Sequence, residues 1–108
     1  MTELARIIHF IWVGPKPIPI SFVEQMLPTW QSLNPLAEIK IWTEKEVLTL
    51  AEEEVLVNKD AILNTTLNPG LRADFLRLEL LYLFGGLYAD VDMTCEKNLD
   101  PLFKLSAG

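Results

Sequence analysis

The sequence predicts an α/β domain built on a mainly parallel sheet, and three observations point there. Short β-branched and aromatic runs alternate with longer segments of helical character, three of those longer segments open on recognisable helix caps, and the most apolar runs stop at glycine or proline breaks. Strands separated by helix-length segments need crossover connections, which leave neighbouring strands parallel. The 108 residues suit one domain rather than two, and 50% apolar content is ample for its core.

Each element has its own signal. Residues Ala5 to Ile11, "ARIIHFI", read as a buried first strand that ends at the proline-rich loop "WVGPKPIPI", Trp12 to Ile20. Ser21 and Glu24 have capping-box spacing, and Val23, Met26, Leu27 and Trp30 follow at helical intervals. A helix is therefore expected over Phe22 to Leu33, with Pro28 as a kink or early stop. After the Asn34-Pro35 turn, "EIKIWT" alternates as a second strand, and Thr43 with Glu46 repeats the capping box ahead of a second helix. Ala51 to Thr66 is mixed, with a further helix ending near Asn64. Asn68 as N-cap and Pro69 at the first helical position then open a long helix that stops at Gly85, a residue suited to a left-handed C-terminal cap. Leu87 to Asp92, "LYADVD", reads as the last strand.

Charge and cysteine content exclude several functions. Nine basic against 15 acidic residues give a net charge of −6, which opposes binding to nucleic acid. An acidic chain that binds an anionic metabolite must do so through a local cation, an arginine or a metal. The single Cys95 forms no internal disulfide and finds no second cysteine for a zinc site. No signal-peptide pattern or membrane-length apolar run is present, so a cytoplasmic location without a membrane span is expected of the covered chain.

The stretch carrying most chemistry is "GGLYADVDM", Gly85 to Met93. On a strand, residues i and i+2 share a face, so Asp90 and Asp92 would project together with Val91 turned inward. Adjacent carboxylates repel unless a cation joins them. Oxygen ligands alone select a hard ion such as Mg²⁺, Mn²⁺ or Ca²⁺, whose shell is completed by water and phosphate oxygens. An isolated D-x-D is also common on ordinary solvated loops; its place after an apolar run and a Gly-Gly break raises the metal reading. In the preceding helix, Asp74 and Arg77 lie three apart on one edge. They read equally well as a surface ion pair or as a charged edge facing a polar cleft. Trp12 at the end of the first strand is either a core aromatic or a stacking surface, and the neighbouring Gly14 and Pro15 favour a cleft. His9 reads as a hydrogen-bonded structural histidine, Trp30 and Trp42 as core, Tyr88 as core packing on the Asp90 side of its strand, and Glu52 to Glu54 as a solvated helix face.

"IIHFIWVG", "RADFLRLELLYLFGG" and "LYADVDM" occur together in this order. The combination resembles the glycosyltransferases that carry a DXD motif, the family of yeast-type initiating mannosyltransferases, capsular and lipopolysaccharide sugar transferases and the catalytic domains of large clostridial glucosylating toxins. The resemblance covers nearly the whole chain, and its most specific part runs from Ala73 to Asp92. It implies a Rossmann-like GT-A fold, here its nucleotide-sugar-binding N-terminal portion over residues 1–108. It also implies a UDP- or GDP-sugar donor, Mn²⁺ or Mg²⁺ as cofactor, a glycan, lipid or protein acceptor, and retention of configuration. By the same resemblance, Trp12 would stack on the nucleotide base, and Asp74 and Arg77 would hold the donor sugar and its phosphate. Asp90 would contact the ribose and, through water, the metal, and Asp92 would ligate the metal directly. Ala73 stands where many relatives have serine. Such domains continue beyond the DXD strand, so further chain past Gly108 is expected, and the apolar helix Leu71 to Phe84 would leave a half-domain prone to self-association. The competing reading is a non-catalytic nucleotide-sugar or metal-binding module, or a structural fragment.

Overall fold

The computed structural model describes residues 5–104. Three strands, β1 (Ile7–Ile11), β2 (Glu38–Trp42) and β3 (Leu87–Tyr88), form an all-parallel sheet in the order β2-β1-β3. The register sets Ile7 opposite Glu38 through Ile11 opposite Trp42, and Ile8 opposite Leu87. Between them lie α1 (Leu27–Leu33), α2 (Glu44–Ala51), α3 (Lys59–Leu63) and α4 (Pro69–Phe84), and α5 (Asp100–Phe103) follows. The predicted α/β class with parallel pairing is what forms.

Both faces of the sheet are covered, which is why β1 reads as continuous apolar sequence rather than alternation. Ile8 and Phe10 point to one face and pack with Phe22, Trp30, Ala89, Cys95 and Phe103 from α1, α5 and the turns beside them. Ile11 points to the other, against Trp42, Val47, Leu50, Ile62, Leu76 and Leu80 from α2, α3 and α4. Trp30 and Trp42 are core aromatics, as expected, and Trp12 belongs to neither cluster.

Two local expectations are corrected. Ser21 is itself helical (φ −57°, ψ −35°) and caps nothing, because the carbonyl of Pro19 already accepts from Phe22 and Val23 N–H groups and starts the helix upstream. Pro28 neither kinks nor stops it. Lacking an N–H to bond the Glu24 carbonyl, Pro28 is preceded by a π-helical stretch, Phe22–Met26, in which Leu27 N–H reaches back to the Phe22 carbonyl. The second capping box forms as predicted, with Thr43 and Glu46 satisfying each other's backbone N–H groups, and Asn68 Oδ1 accepts from Gly70 N–H at 2.7 Å.

The long helix α4 departs from its sequence pattern. Leu71, Leu78 and Tyr82 are exposed, whereas Arg72 and Glu79, seven residues apart, are buried. These two clamp the short α3. The Glu79 carboxylate accepts from the N–H groups of Val57 and Asn58 ahead of α3, and Arg72 Nε donates to the carbonyl of Ile62 near its end, at 2.7 Å. Acid before the helix and base after it satisfy backbone groups that a helix cannot pair internally.

His9 is fully buried at the centre of β1. Its Nε2 lies 2.8 Å from the Gly85 carbonyl and its Nδ1 accepts from Trp42 Nε1 at 3.1 Å, which fixes the neutral Nε2–H tautomer. Desolvation by burial, aided by nearby Lys40, holds its pKa below the ordinary 6.5. The unfolded chain therefore takes up this proton first. Stability from neutral His9 is full above pH 6.5 and declines as pH falls below it, levelling off once the folded state is also protonated. Urea unfolding midpoints measured from about pH 7.5 to about pH 5.5 are expected to fall over that range. Midpoints that do not change would contradict a neutral buried imidazole.

Candidate functional site

Open parallel sheets bind ligands beyond the carboxyl ends of their strands. Here that region holds the loop after β1, the start of α2, the first turns of α4 and the turn after β3. They enclose a cavity of about 1180 Å³ whose wall includes Trp12, Lys16, Glu44, Tyr88, Asp90 and Asp92.

The two aspartates reach the cavity by a different route from the one expected. The strand ends at Tyr88 rather than at Asp92, and Ala89 N–H makes the last ladder bond, to the His9 carbonyl at 3.0 Å. The chain then turns, with Met93 N–H to the Asp90 carbonyl at 3.2 Å. Asp90 and Asp92 are therefore exposed turn residues on the cavity wall, not neighbours on a strand face. Their donor set fits a hard divalent ion that keeps water and phosphate oxygens: it offers two carboxylates, and among the described residues no cluster of three or more His, Cys, Asp or Glu forms.

Gly85 and Gly86 make this placement possible. Gly85 has positive φ (70°) but an extended ψ (−162°), so it is not the left-handed cap expected. With Gly86 it lets the chain pass from α4 into β3 in two residues.

Trp12 is half-buried and lines the cavity. Its indole Nε1 donates to the Lys16 carbonyl at 2.8 Å, closing the loop on itself and leaving the ring free of the core. Of the two sequence alternatives, the ring therefore lies on the cavity wall rather than in either core cluster.

Asp74 and Arg77 do not line the cavity. They form a long, exposed pair, 3.9 Å apart, which contributes little by itself. The Arg77 guanidinium instead sits over the Tyr88 ring, 5.4 Å from its centroid, so these two residues stand one side chain away from the cavity. Tyr88, which the sequence ranked as core, is the link. It packs on the α4 side of the core and also lines the cavity beside Asp90. Burial, then the neighbouring Asp90 carboxylate, push the phenol from 10.0 up to about 12, so Tyr88 carries a neutral hydroxyl at physiological pH.

Three further wall residues escaped the sequence reading: Lys16, Glu44 and Arg72. Arg72 is 2% exposed and is spent on Glu44 and Ile62. Lys16 is the exposed cation on the wall. A charged residue on the apolar face of α4 was the available signal for Arg72; nothing local marked the other two.

Residues 22–106 match the family described as the glycosyltransferase sugar-binding region containing a DXD motif. Among curated proteins, the chain is 27% identical over 115 residues to Subversion of eukaryotic traffic protein A of Legionella pneumophila, covering 86% of this chain and 18% of that protein. It is 35% identical over 75 residues to the mannosyl phosphorylinositol ceramide synthase SUR1 of Saccharomyces cerevisiae, covering 69% of this chain and 19% of that one. To inositol phosphoceramide mannosyltransferase 3 of Schizosaccharomyces pombe it is 47% identical over 36 residues, 33% of this chain and 10% of that protein. The chain thus spans about a fifth or less of the length of these relatives. No solved structure gives a significant match.

Proposed function

The chain belongs to the DXD-containing glycosyltransferase sugar-binding family, and from that premise we propose that it forms the donor half of a metal-dependent glycosyltransferase using a UDP- or GDP-sugar. The observation that carries this reading is the meeting of Trp12 with Asp90 and Asp92 in one cavity at the carboxyl end of a parallel sheet. An aromatic face suits a nucleotide base, and a carboxylate pair at the same site suits a metal-bound diphosphate.

In this reading Asp90 and Asp92 hold Mn²⁺ or Mg²⁺, which when bound neutralises charge on the departing diphosphate. The aspartates act as ligands rather than as proton-transfer groups. Tyr88 presents its neutral hydroxyl beside Asp90, and Asp74 and Arg77 are assigned to the sugar and phosphate, reached past the Tyr88 ring. Charge that builds on the leaving group in the transition state favours cations beside it more than the ground state does. The names of the yeast relatives favour a mannosyl donor; the acceptor is a glycan, lipid or protein, and transfer is with retention. No described helix is long and apolar enough to cross a membrane.

Calorimetric titration of UDP-glucose and GDP-mannose, with and without Mn²⁺, tests the proposal. Saturable binding that requires the metal is expected for at least one donor. Failure of both to bind to the folded natural chain would overturn it.

A further inference from the structure

The cavity wall contains one buried charge with no evident ligand-binding role. Arg72, in the first turns of α4, is 2% exposed, and its NH2 group lies 2.8 Å from Glu44 Oε1 and 3.1 Å from Oε2. The same Glu44 carboxylate accepts from the backbone N–H of Gly14 at 3.2 Å. Gly14 has φ +113°, and a Cβ there would meet Pro69 Cγ at 3.0 Å, so the loop lies directly on the start of α4. One buried guanidinium thus ties α3 through Ile62, α4 through its own backbone and α2 through Glu44. Glu44 in turn seats the loop that carries Trp12.

A site needing only stability is served as well by apolar packing, since burying an ion pair gains little after desolvation. What the pair adds is direction: a carboxylate fixed by Arg72 offers an oxygen to the backbone N–H of Gly14. The Trp12 backbone is held by its N–H to the Trp42 carbonyl at 2.8 Å, and Val13 is buried in the core. The Trp12 indole bonds only within its own loop, to the Lys16 carbonyl, so the segment from Gly14 to Lys16 that orients the ring is fixed at Gly14 by Glu44. Glu44, an anion on the wall of a cavity for an anionic donor, is poorly suited to contact that donor itself, and Arg72 is too buried to do so.

We propose that Arg72 and Glu44 are a positioning pair that sets the Trp12–Lys16 loop and, through it, the face on which the donor's base stacks. The donor part rests on the function proposed above; the loop part does not. A positioned stacking surface raises affinity by removing the cost of ordering it on binding.

The test is Glu44→Gln, with Glu44→Ala beside it, in chain labelled with 5-fluorotryptophan, the Trp12 resonance being assigned by its loss in Trp12→Phe. Without any donor, both variants are expected to shift or broaden the Trp12 resonance while those of Trp30 and Trp42 stay in place. An unmoved Trp12 resonance in the glutamine variant overturns the proposal. If the alanine variant unfolds, all three resonances move and the glutamine variant alone decides. With Mn²⁺ present, the glutamine variant should bind UDP-glucose or GDP-mannose about tenfold more weakly than wild type, with affinity for Mn²⁺-pyrophosphate kept within about twofold. Equal loss for pyrophosphate would show a general structural defect and overturn positioning of the base. Wild-type chain that binds no donor but shows the Trp12 shift would sink the donor reading and leave the loop pair standing.

Discussion

Replacing Gly86 with alanine is expected to destabilise the domain by about 3 kcal/mol or more. Gly86 has φ +91°, a conformation that side-chain-bearing residues rarely adopt. An added Cβ would also lie 2.4 Å from the carbonyl oxygen of Ile7 and 3.0 Å from its Cβ. The first atom belongs to the backbone of β1, the central strand, and cannot give without disturbing the pairing of Ile8 with Leu87. Gly85→Ala supplies the control. It shares positive φ (70°), yet its Cβ would meet only Ala5 Cβ at an ordinary 3.6 Å. It should cost about 1–2 kcal/mol, from the backbone conformation alone. Urea unfolding of both variants distinguishes the steric term from the conformational one, and equal midpoints would refute the close approach to Ile7. Any folded Gly86→Ala should also bind donor weakly, because β3 leads straight into the aspartate turn.

Asp92→Asn should abolish metal-dependent donor binding, a fall of about 100-fold or more, at nearly unchanged stability. The reason lies in the donor set. With two carboxylates in the turn after β3, the third wall carboxylate, Glu44, engaged by Arg72, and no cluster of three such ligands among the described residues, removing one charge halves the protein's share of the site. Asp92 is exposed and takes part in no described side-chain hydrogen bond or ion pair of the fold, so asparagine should leave unfolding midpoints within about 0.5 kcal/mol of wild type. Titration of donor against Mn²⁺ concentration reads the first effect and urea unfolding the second. Donor binding that keeps its full Mn²⁺ dependence in this variant would remove Asp92 from the metal site.

Much of the architecture was legible because the relevant signals are local. The Thr43 and Glu46 box, the Asn68-Pro69 start and the Gly85 stop depend on residues within one helical turn of each other, and they were read correctly as boundaries. The Ser21 box failed for a reason equally local but hidden: the Pro19 carbonyl, not a side chain, starts that helix. Strand β3 was read four residues too long, since apolar alternation persists through Val91 while its ladder with β1 stops after Ala89.

The sequence by itself determined the parallel α/β class, the helix ends marked by caps, and the likeness that drew Trp12, Asp74, Arg77, Asp90 and Asp92 together as site residues. These follow from spacing along the chain, which short-range sterics and backbone hydrogen bonding translate directly into structure. Only the tertiary structure decided that Trp12 and the two aspartates share a cavity while Asp74 and Arg77 stand behind Tyr88. It likewise decided that α4 buries Arg72 and Glu79 and exposes Leu78 and Tyr82. Burial of a charge depends on partners that arrive from distant segments, here the backbone around α3 and the Glu44 carboxylate. No periodicity within one helix records where those partners will be.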